Sequence, residues 1–331
     1  MQRKRIVLCI SVVGAAIVAV GIAIIALDAA RRSETAACRA ITNFSVAGVN
    51  VSNASATRLG AHNSYRRRSP LAAFSAAWAI EQPPLGTQAQ LGARHFEIDA
   101  HYNASLVYHV ATFDERSTCR CFVECLAEIA QAVPRDELAF VFVELKDAGD
   151  TRLYADSSAL LDAVAEVERV AALVFGARQL RPRDLIGEAT TLGDAVAAGA
   201  WQRARERASS AYGPSLAVAV MCDTATPAWR VSRSNARSPL AANSTSTLFV
   251  LFVGTVTALA IEPSLALAAV EGDPRNPLVS ELAARGVLVR VGADAPESVF
   301  NATRLADALA SEAAFVATDF LVRAINEFAQ E

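Results

Sequence analysis

The chain has 331 residues, 53% of them hydrophobic, with 31 Lys and Arg against 34 Asp and Glu and a formal net charge of -3. With so balanced a charge and no basic tract after the first five residues, the chain lacks the electrostatic footprint of a nucleic-acid binder. Only four histidines and six cysteines are present, so repeated zinc modules are excluded as well.

Residues 1–5 carry Arg3, Lys4 and Arg5, and Ile6 to Leu27 follow without a charge. As a helix that run reaches about 33 Å, enough to cross a bilayer. Its length, and its end at Asp28-Ala29-Ala30-Arg31-Arg32 rather than at a small-x-small cleavage site, favour an uncleaved signal anchor over a signal peptide. The preceding basic residues place the N-terminus in the cytoplasm, although Arg31 and Arg32 weaken that asymmetry. The rest is then lumenal or extracellular, or secreted if the segment is cleaved. Asn43, Asn50, Asn53, Asn103, Asn243 and Asn301 each begin an Asn-x-Ser/Thr triplet, six of the ten asparagines, which agrees with a glycosylated ectodomain. Residues 28–55 read as a small, polar stalk, with no sustained period from residue 33 onward, and residues 56–325 as one domain.

Apolar runs with strand character recur at 56–61, 94–100, 139–145, 216–221, 247–254, 286–291 and 314–319. Between them lie helical stretches such as Ser157 to Phe175, where Leu160, Leu161, Val164, Val167, Ala171 and Leu173 form a stripe. Alternation of strand and helix predicts a parallel barrel. Leu248 to Ile261 is too short for a second membrane span, is interrupted by Gly254, and stops at Glu262-Pro263; it reads as a buried strand with its turn. Cys9 lies in the apolar run, leaving Cys38, Cys119, Cys121, Cys125 and Cys222. The Cys-x-Cys-x3-Cys cluster has no following histidine to complete a zinc site, so disulfides are the better account, with Cys125 paired to Cys119 or Cys121. The odd count leaves one thiol free or intermolecular.

All four histidines fall between Gly60 and His109: His62, His95, His101 and His109. In an extended segment side chains alternate, so Glu97, Asp99 and His101 share a face that His95, Phe96 and Ile98 cannot all join. Carboxylates that close need a cation to offset their repulsion, and a hard divalent ion bound by oxygens supplies one. Glu144 offers a third carboxylate at the C-terminal end of Phe140-Val141-Phe142-Val143, the end that carries active sites in parallel barrels. Asn63 adds a neutral oxygen beside His62. Taken singly, an acid at a strand end is ordinarily solvated and a histidine ordinarily structural. Three strand ends that together present the parts of a metal-assisted phosphoryl site are another matter.

Gly60-Ala61-His62-Asn63-Ser64-Tyr65, the Gly92 to Asp99 strand, Tyr108-His109 and Val143-Glu144-Leu145-Lys146 together resemble the X-region of phosphoinositide-specific phospholipases C. The later blocks Leu180 to Gly187 with Thr191-Leu192, Gly286 to Asp294 and Ala310 to Phe320 are similar to the calcium-dependent secreted branch of that superfamily. The resemblance spans about residues 56 to 321. It implies an irregular TIM-type barrel that cleaves the phosphodiester between diacylglycerol and an inositol phosphate. His62 and His109 then flank the phosphorus, with His109 as the acid and His62 as the donor to the pentacoordinate phosphorus, or the reverse. Asn63, Glu97, Asp99 and Glu144 then hold Ca2+, with Mg2+ as the alternative ion. Lys146, Arg94 and Arg290 become candidate substrate contacts, with Arg94 and His101 equally readable as orienting or structural residues. Arg66-Arg67-Arg68, after the His62 loop, are candidates to rim the pocket or are simply solvated.

Gly292 departs from the pattern, because relatives carry a second basic residue there. That departure supports a catalytically idle, glycosylated surface or binding protein on the same barrel. A glycerophosphodiester phosphodiesterase or sphingomyelinase D-like enzyme is the other alternative. The implied partner is a membrane phospholipid, with no nucleic acid. Phosphoinositides concentrate on cytoplasmic leaflets, so an outward-facing enzyme points to exogenous lipid, glycosyl-phosphatidylinositol or another glycerophosphodiester.

Overall fold

The computed structural model describes residues 26, 29–41, 58–74, 78–101, 103–110, 114, 116–146, 157–210, 213–223, 247–253, 265–294 and 299–328. All of the expected membrane span but Ala26, together with Cys9 and the acceptors Asn43, Asn50, Asn53 and Asn243, lies outside these residues, and no described helix is long and apolar enough to cross a membrane. The chain divides into Met1–Thr42 and Asn43–Glu331. In the first unit residues 29–40 are helical, where a stalk without a sustained period is expected from residue 33. Alanine and arginine are strong helix formers and no Gly or Pro interrupts residues 29–40, so local propensity favours this helix.

The second unit is a closed barrel. Its parallel strands are β1 (Leu59–Ala61), β2 (His95–His101), β4 (Ala139–Leu145), β6 (Leu216–Asp223), β7 (Phe249–Val253), β8 (Leu267–Val270), β9 (Leu288–Gly292) and β10 (Phe315–Thr318). Their order is β1-β10-β9-β8-β7-β6-β4-β2, and the pairing of Ala61 with Phe96 brings β2 back to β1. Two short strands are extra: β3 (Leu106–Val107) runs antiparallel to β2, and β5 (Gln179–Leu180) pairs with β6. Of the eight barrel strands, β8 is the one the hydrophobic pattern does not announce. Its sequence is Leu-Ala-Ala-Val, four residues in which alanine carries little strand signal.

Register decides what faces the lumen. His95, Glu97 and Asp99 stand level with Phe140, Phe142 and Glu144, and Phe315 and Ala317 stand level with Arg290 and Gly292. Rings from strands across the barrel meet, His95 on Phe315 at 5.3 Å and Phe140 on Phe315 at 4.8 Å, so this parity points inward. The opposite parity, with Ile98, Val141, Val143, Val218, Val220, Val289 and Val316, is buried too. Strands covered on both faces read as continuous apolar runs for this reason. His95 therefore does share the face of Glu97 and Asp99, one layer deeper. Burial and the Arg290 charge lower its pKa to about 3, so it is a neutral core imidazole, its Nε2 3.0 Å from the Arg58 carbonyl.

Helices α1 (Leu85–Gln90), α2 (Phe122–Ala132) and α3 (Ser157–Phe175) follow the early strands. On α3, Leu160, Val164, Val167 and Ala171 are buried as the stripe predicts, but Leu161 is only half-buried and Leu173 is exposed. Between β5 and β6 come α4 (Pro182–Ile186), α5 (Leu192–Ala197) and α6 (Ala200–Ala208). Trp201 of α6 packs on Phe140 and Phe249 near the starts of β4 and β7, closing the N-terminal end of the lumen. Helices α7 (Pro277–Ala284), α8 (Ala302–Ala310) and α9 (Leu321–Phe328) complete the ring. Cys119 and Cys125 form a disulfide, one of the two pairings expected for Cys125, and Cys222 on β6 is buried.

Gly60 is the tightest point of closure. A Cβ there would stand 2.4 Å from the His95 carbonyl oxygen and 2.5 Å from its ring. Gly60→Ala is expected to destabilise the domain by about 1–3 kcal/mol or more through overpacking, read as a lower denaturant midpoint at unchanged m.

Candidate active site

The C-terminal end of β1 runs into a tight turn in which Asn63 adopts φ +48, a left-handed conformation that asparagine tolerates better than most residues. Ser64 fastens this turn to β2. Its hydroxyl donates to the Ala61 carbonyl and accepts from the Glu97 amide, each at 2.9 Å, while its own amide donates to the Glu97 carbonyl. The His-Asn-Ser-Tyr sequence thus sets His62 and Asn63 directly above Glu97.

His62 Nδ1 lies 2.8 Å from Asp319 Oδ1, and its Nε2 lies 3.7 Å from Glu97 Oε1. Burial lowers the imidazole's pKa, but the Glu97 charge and the hydrogen bond and charge of Asp319 outweigh it and raise it to about 9. Asp319, just past β10, is itself held through its amide by Asp294, just past β9. Burial raises the Asp294 carboxyl to about 6.

Glu97, Asp99 and Glu144 bring carboxylate oxygens within 4.8 Å of one another. Glu97 and Asp99 are buried, and Glu144 is 26% exposed. Burial, then the Glu144 charge, pushes the Asp99 carboxyl well above its usual range despite Lys146. Asp99 Oδ1 is buried without a hydrogen-bond donor among the described residues. The Tyr65 hydroxyl donates to Asn63 Oδ1 at 3.3 Å and stands close enough to Asp99 for each to shift the other's titration. Asn63 is thereby tied to the acids. Three hard carboxylate donors converge, one of their oxygens lacks a hydrogen-bond donor among the described residues, and the set fits a divalent cation.

Two basic side chains reach the cluster. Lys146 Nζ lies 2.7 Å from Glu144 Oε1 and 3.8 Å from Asp99 Oδ2. The Arg290 guanidinium bonds Glu97 and lies over the Phe142 ring. Arg94 is placed elsewhere. It precedes β2 at the N-terminal end of the barrel, where it bonds Glu137 and the carbonyls of Ala89 and Ala93 at 2.7 Å. A residue at the start of a strand is carried to the end of the barrel opposite the site.

His109 follows β3. Its Nδ1 lies 3.0 Å from Asp114 Oδ2, its amide donates to the Asp114 carbonyl, and its ring stands edge-on to Trp78. Asp114 is fully buried and also accepts from Arg66 Nε at 2.7 Å. Arg66 is therefore not one of three solvated loop arginines but the anchor of the His109 carboxylate. His101 stacks on Tyr108 at 3.9 Å and its Nε2 contacts the Tyr108 carbonyl at 2.9 Å, so it positions the segment that carries His109. The mouth opens into a pocket of about 280 Å³ lined by His62, Arg290, Gly292, Asp294 and Asp319 among others; His109 and the three clustered acids do not form its wall.

Tyr65, Asp114, Asp294 and Asp319 are the parts that sequence spacing did not assign. Asp294 and Asp319 sit inside the C-terminal blocks that carry the resemblance, and both follow strand ends, which was the available signal. Asp114 had none, since nothing in Val110 to Asp114 marks a turn that returns on His109.

In metal-free protein held in chelator, the His62 ring is expected to titrate near pH 9 by NMR. Its folded pKa lies above the ordinary 6.5, so the stability it contributes is fully present below pH 6.5 and lost as pH rises through 9. Asp319→Asn is expected to move the midpoint down and narrow that window.

No family model matches the chain, and no curated protein matches it in sequence. Solved structures do. A calcium-dependent phosphoinositol-specific phospholipase C from a Gram-negative bacterium, Pseudomonas sp, is 13% identical with a TM-score of 0.54, over 82% of this chain and 93% of that one. A Ca2+-dependent phosphatidylinositol-specific phospholipase C from Streptomyces antibioticus is 18% identical with a TM-score of 0.55, over 82% of this chain and 96% of that one. At these identities the likeness is one of fold: the barrel of this chain is similar to the barrels of these two phospholipases C.

Proposed function

We propose that the chain is a calcium-dependent phosphodiesterase that cleaves phosphatidylinositol-type lipids to diacylglycerol and cyclic or open inositol phosphate. The observation that carries this reading is the pairing of each of two imidazoles with a carboxylate at Nδ1, His62 with Asp319 and His109 with Asp114, on loops at the barrel end where three acids converge. Each carboxylate fixes Nδ1 and leaves Nε2 for the substrate.

In this reading the inositol 2-hydroxyl attacks phosphorus, its proton passing to the carboxylate of Glu144, the most exposed of the three clustered acids, and the bond to the glycerol oxygen breaks. His62, held at Nδ1 by Asp319, donates through Nε2 to the phosphoryl oxygens as charge builds on them. His109 gives a proton to the departing glycerol oxygen. Asn63, Glu97, Asp99 and Glu144 would hold calcium, which when bound would lower the pKa of the attacking hydroxyl and offset the developing charge. Arg290 and Lys146, each engaged by a carboxylate, keep the cluster's net charge near that of a single acid and stand ready for a phosphate oxygen.

The pocket supports an unphosphorylated inositol ring. It carries Glu271, Asp294 and Asp319 against Arg290 and His62, and a Cβ at Gly292 would meet nothing within 4 Å, so open space stands where relatives place a second cation. The glycosylation triplets and the apolar run at residues 6–27 support an anchored, outward-facing enzyme.

Turnover of phosphatidylinositol by the full chain is expected with calcium and lost with chelator. His109→Ala is expected to lower kcat by about 10²- to 10⁴-fold. Polyphosphorylated inositol lipids are expected to be poorer substrates than phosphatidylinositol. Calcium is expected to raise the Tm of the wild type and not of Asp99→Asn, which removes a ligand charge. Intact, folded protein without turnover of any glycerophosphodiester would favour the binding-protein reading.

A further inference from the structure

Two cations reach the acidic cluster, and they are held differently. Arg290, on β9, bonds Glu97 and sets its guanidinium over the Phe142 ring at 5.9 Å. Lys146, at the end of β4, brings a single ammonium, 2.7 Å from Glu144 Oε1 and 3.8 Å from Asp99 Oδ2. The longer of these distances exceeds a hydrogen bond, and Asp99 Oδ1 has no donor among the described residues. Lys146 therefore serves Glu144 and leaves Asp99 incompletely paired. A planar guanidinium seated on both a ring and a carboxylate is fixed, whereas an ammonium on a four-carbon stem makes point contacts and turns easily. Of the two cations, Lys146 is the one free to leave.

Glu144 and Asp99 are also two of the three acids that converge within 4.8 Å. A divalent cation bound by these carboxylates needs the space beside them that the ammonium now occupies, and like charges repel there. Such an ion would engage both acids where the lysine engages one, so the exchange improves the pairing of Asp99. The ammonium also has a destination. In the phosphodiesterase reading the phosphoryl group meets His62 Nε2, which lies 3.7 Å from Glu97, two residues from Asp99 on the same face of β2. That spacing is about 7 Å, within the sweep of a lysine side chain.

We propose that Lys146 is an internal counter-ion: a divalent cation displaces it from Glu144 and Asp99, and it passes to the phosphodiester, so that cation and anion bind cooperatively through this one side chain. The inference rests on the phosphodiesterase reading for the identity of the anion. Lys146 is then a latch, because its departure frees Glu144 Oε1 to take the hydroxyl proton. Coupling of this kind is reciprocal, the anion tightening the cation by the same factor as the cation tightens the anion.

Titration calorimetry on the full chain in uncharged detergent tests this with two probes, calcium and dimethyl phosphate, a phosphodiester anion with neither inositol nor lipid. Dimethyl phosphate is expected to tighten calcium binding by about fivefold or more. Lys146→Met is expected to bind calcium about tenfold more tightly than the wild type without the anion, and to lose the effect of dimethyl phosphate. Lys146→Arg, which keeps the charge, is expected to stay within about threefold of the wild type. A lysine that merely supports the site predicts weaker or equal calcium binding by Lys146→Met. That result overturns the proposal, as does an anion effect that survives the substitution.

The wild type supplies a second readout that no variant's folding can obscure. Lys4 and Lys146 are the only lysines in the chain, so isotope-labelled lysine isolates the Lys146 ammonium by NMR. Its protons are expected to exchange with water slowly without calcium, about tenfold faster with calcium, and slowly again once dimethyl phosphate is added. Exchange that ignores calcium overturns the proposal and leaves the enzyme reading standing. Calcium-driven exchange in a protein that turns over no phosphatidylinositol supports the latch and overturns the enzyme reading.

Discussion

Three carboxylates held within 4.8 Å at the ends of β2 and β4 are the constraint on which the rest of the structure depends. Two of them are buried, and charge removed from water is costly unless it is paired. The barrel answers with basic groups delivered from different strands: Lys146 at the end of β4 and Arg290 from β9, across the lumen from Glu97. Asp99 still keeps an unpartnered oxygen and a raised pKa. A site left this short of positive charge is poised for a cation, and its cost in stability is accepted where function needs it.

The same logic extends outward through the histidines. Glu97 helps hold His62 in its protonated form, Asp319 orients it, and Asp294 orients Asp319, so a chain of acids runs from the lumen across the ends of β9 and β10. His109 is served by a separate chain, Asp114 and Arg66, built from the loops after β1 and β3. Two imidazoles are thus anchored independently, by separate carboxylates, at the same end of the barrel.

Arg66 links this machinery to the outer surface. Its neighbours Arg67 and Arg68 leave the buried ion pair and enter an open cleft, so the segment that anchors His109 from within presents charge on its outside.

Much of this was legible in the residues alone. Apolar runs of period-free strands, the Glu-x-Asp pair on one face of β2 and the acid closing β4 follow from local periodicity, and proximity in the chain gives Cys125 a partner in Cys119 or Cys121, of which the fold selects Cys119. Ser64, Tyr65 and the left-handed Asn63 belong to the same short motif, but only folding shows that they hold the turn onto Glu97. What the chain order could not convey was which distant groups meet: Arg94 begins the strand that ends near Asp99 and so lands at the far end of the barrel, while Asp114 and Asp319 reach His109 and His62 through loop geometry. The short β8, four residues rich in alanine, forms because its neighbours β7 and β9 offer it two edges. Side-chain periodicity is local and survives in sequence, whereas partner choice across a closed barrel is set by register and loop return, which exist only in three dimensions.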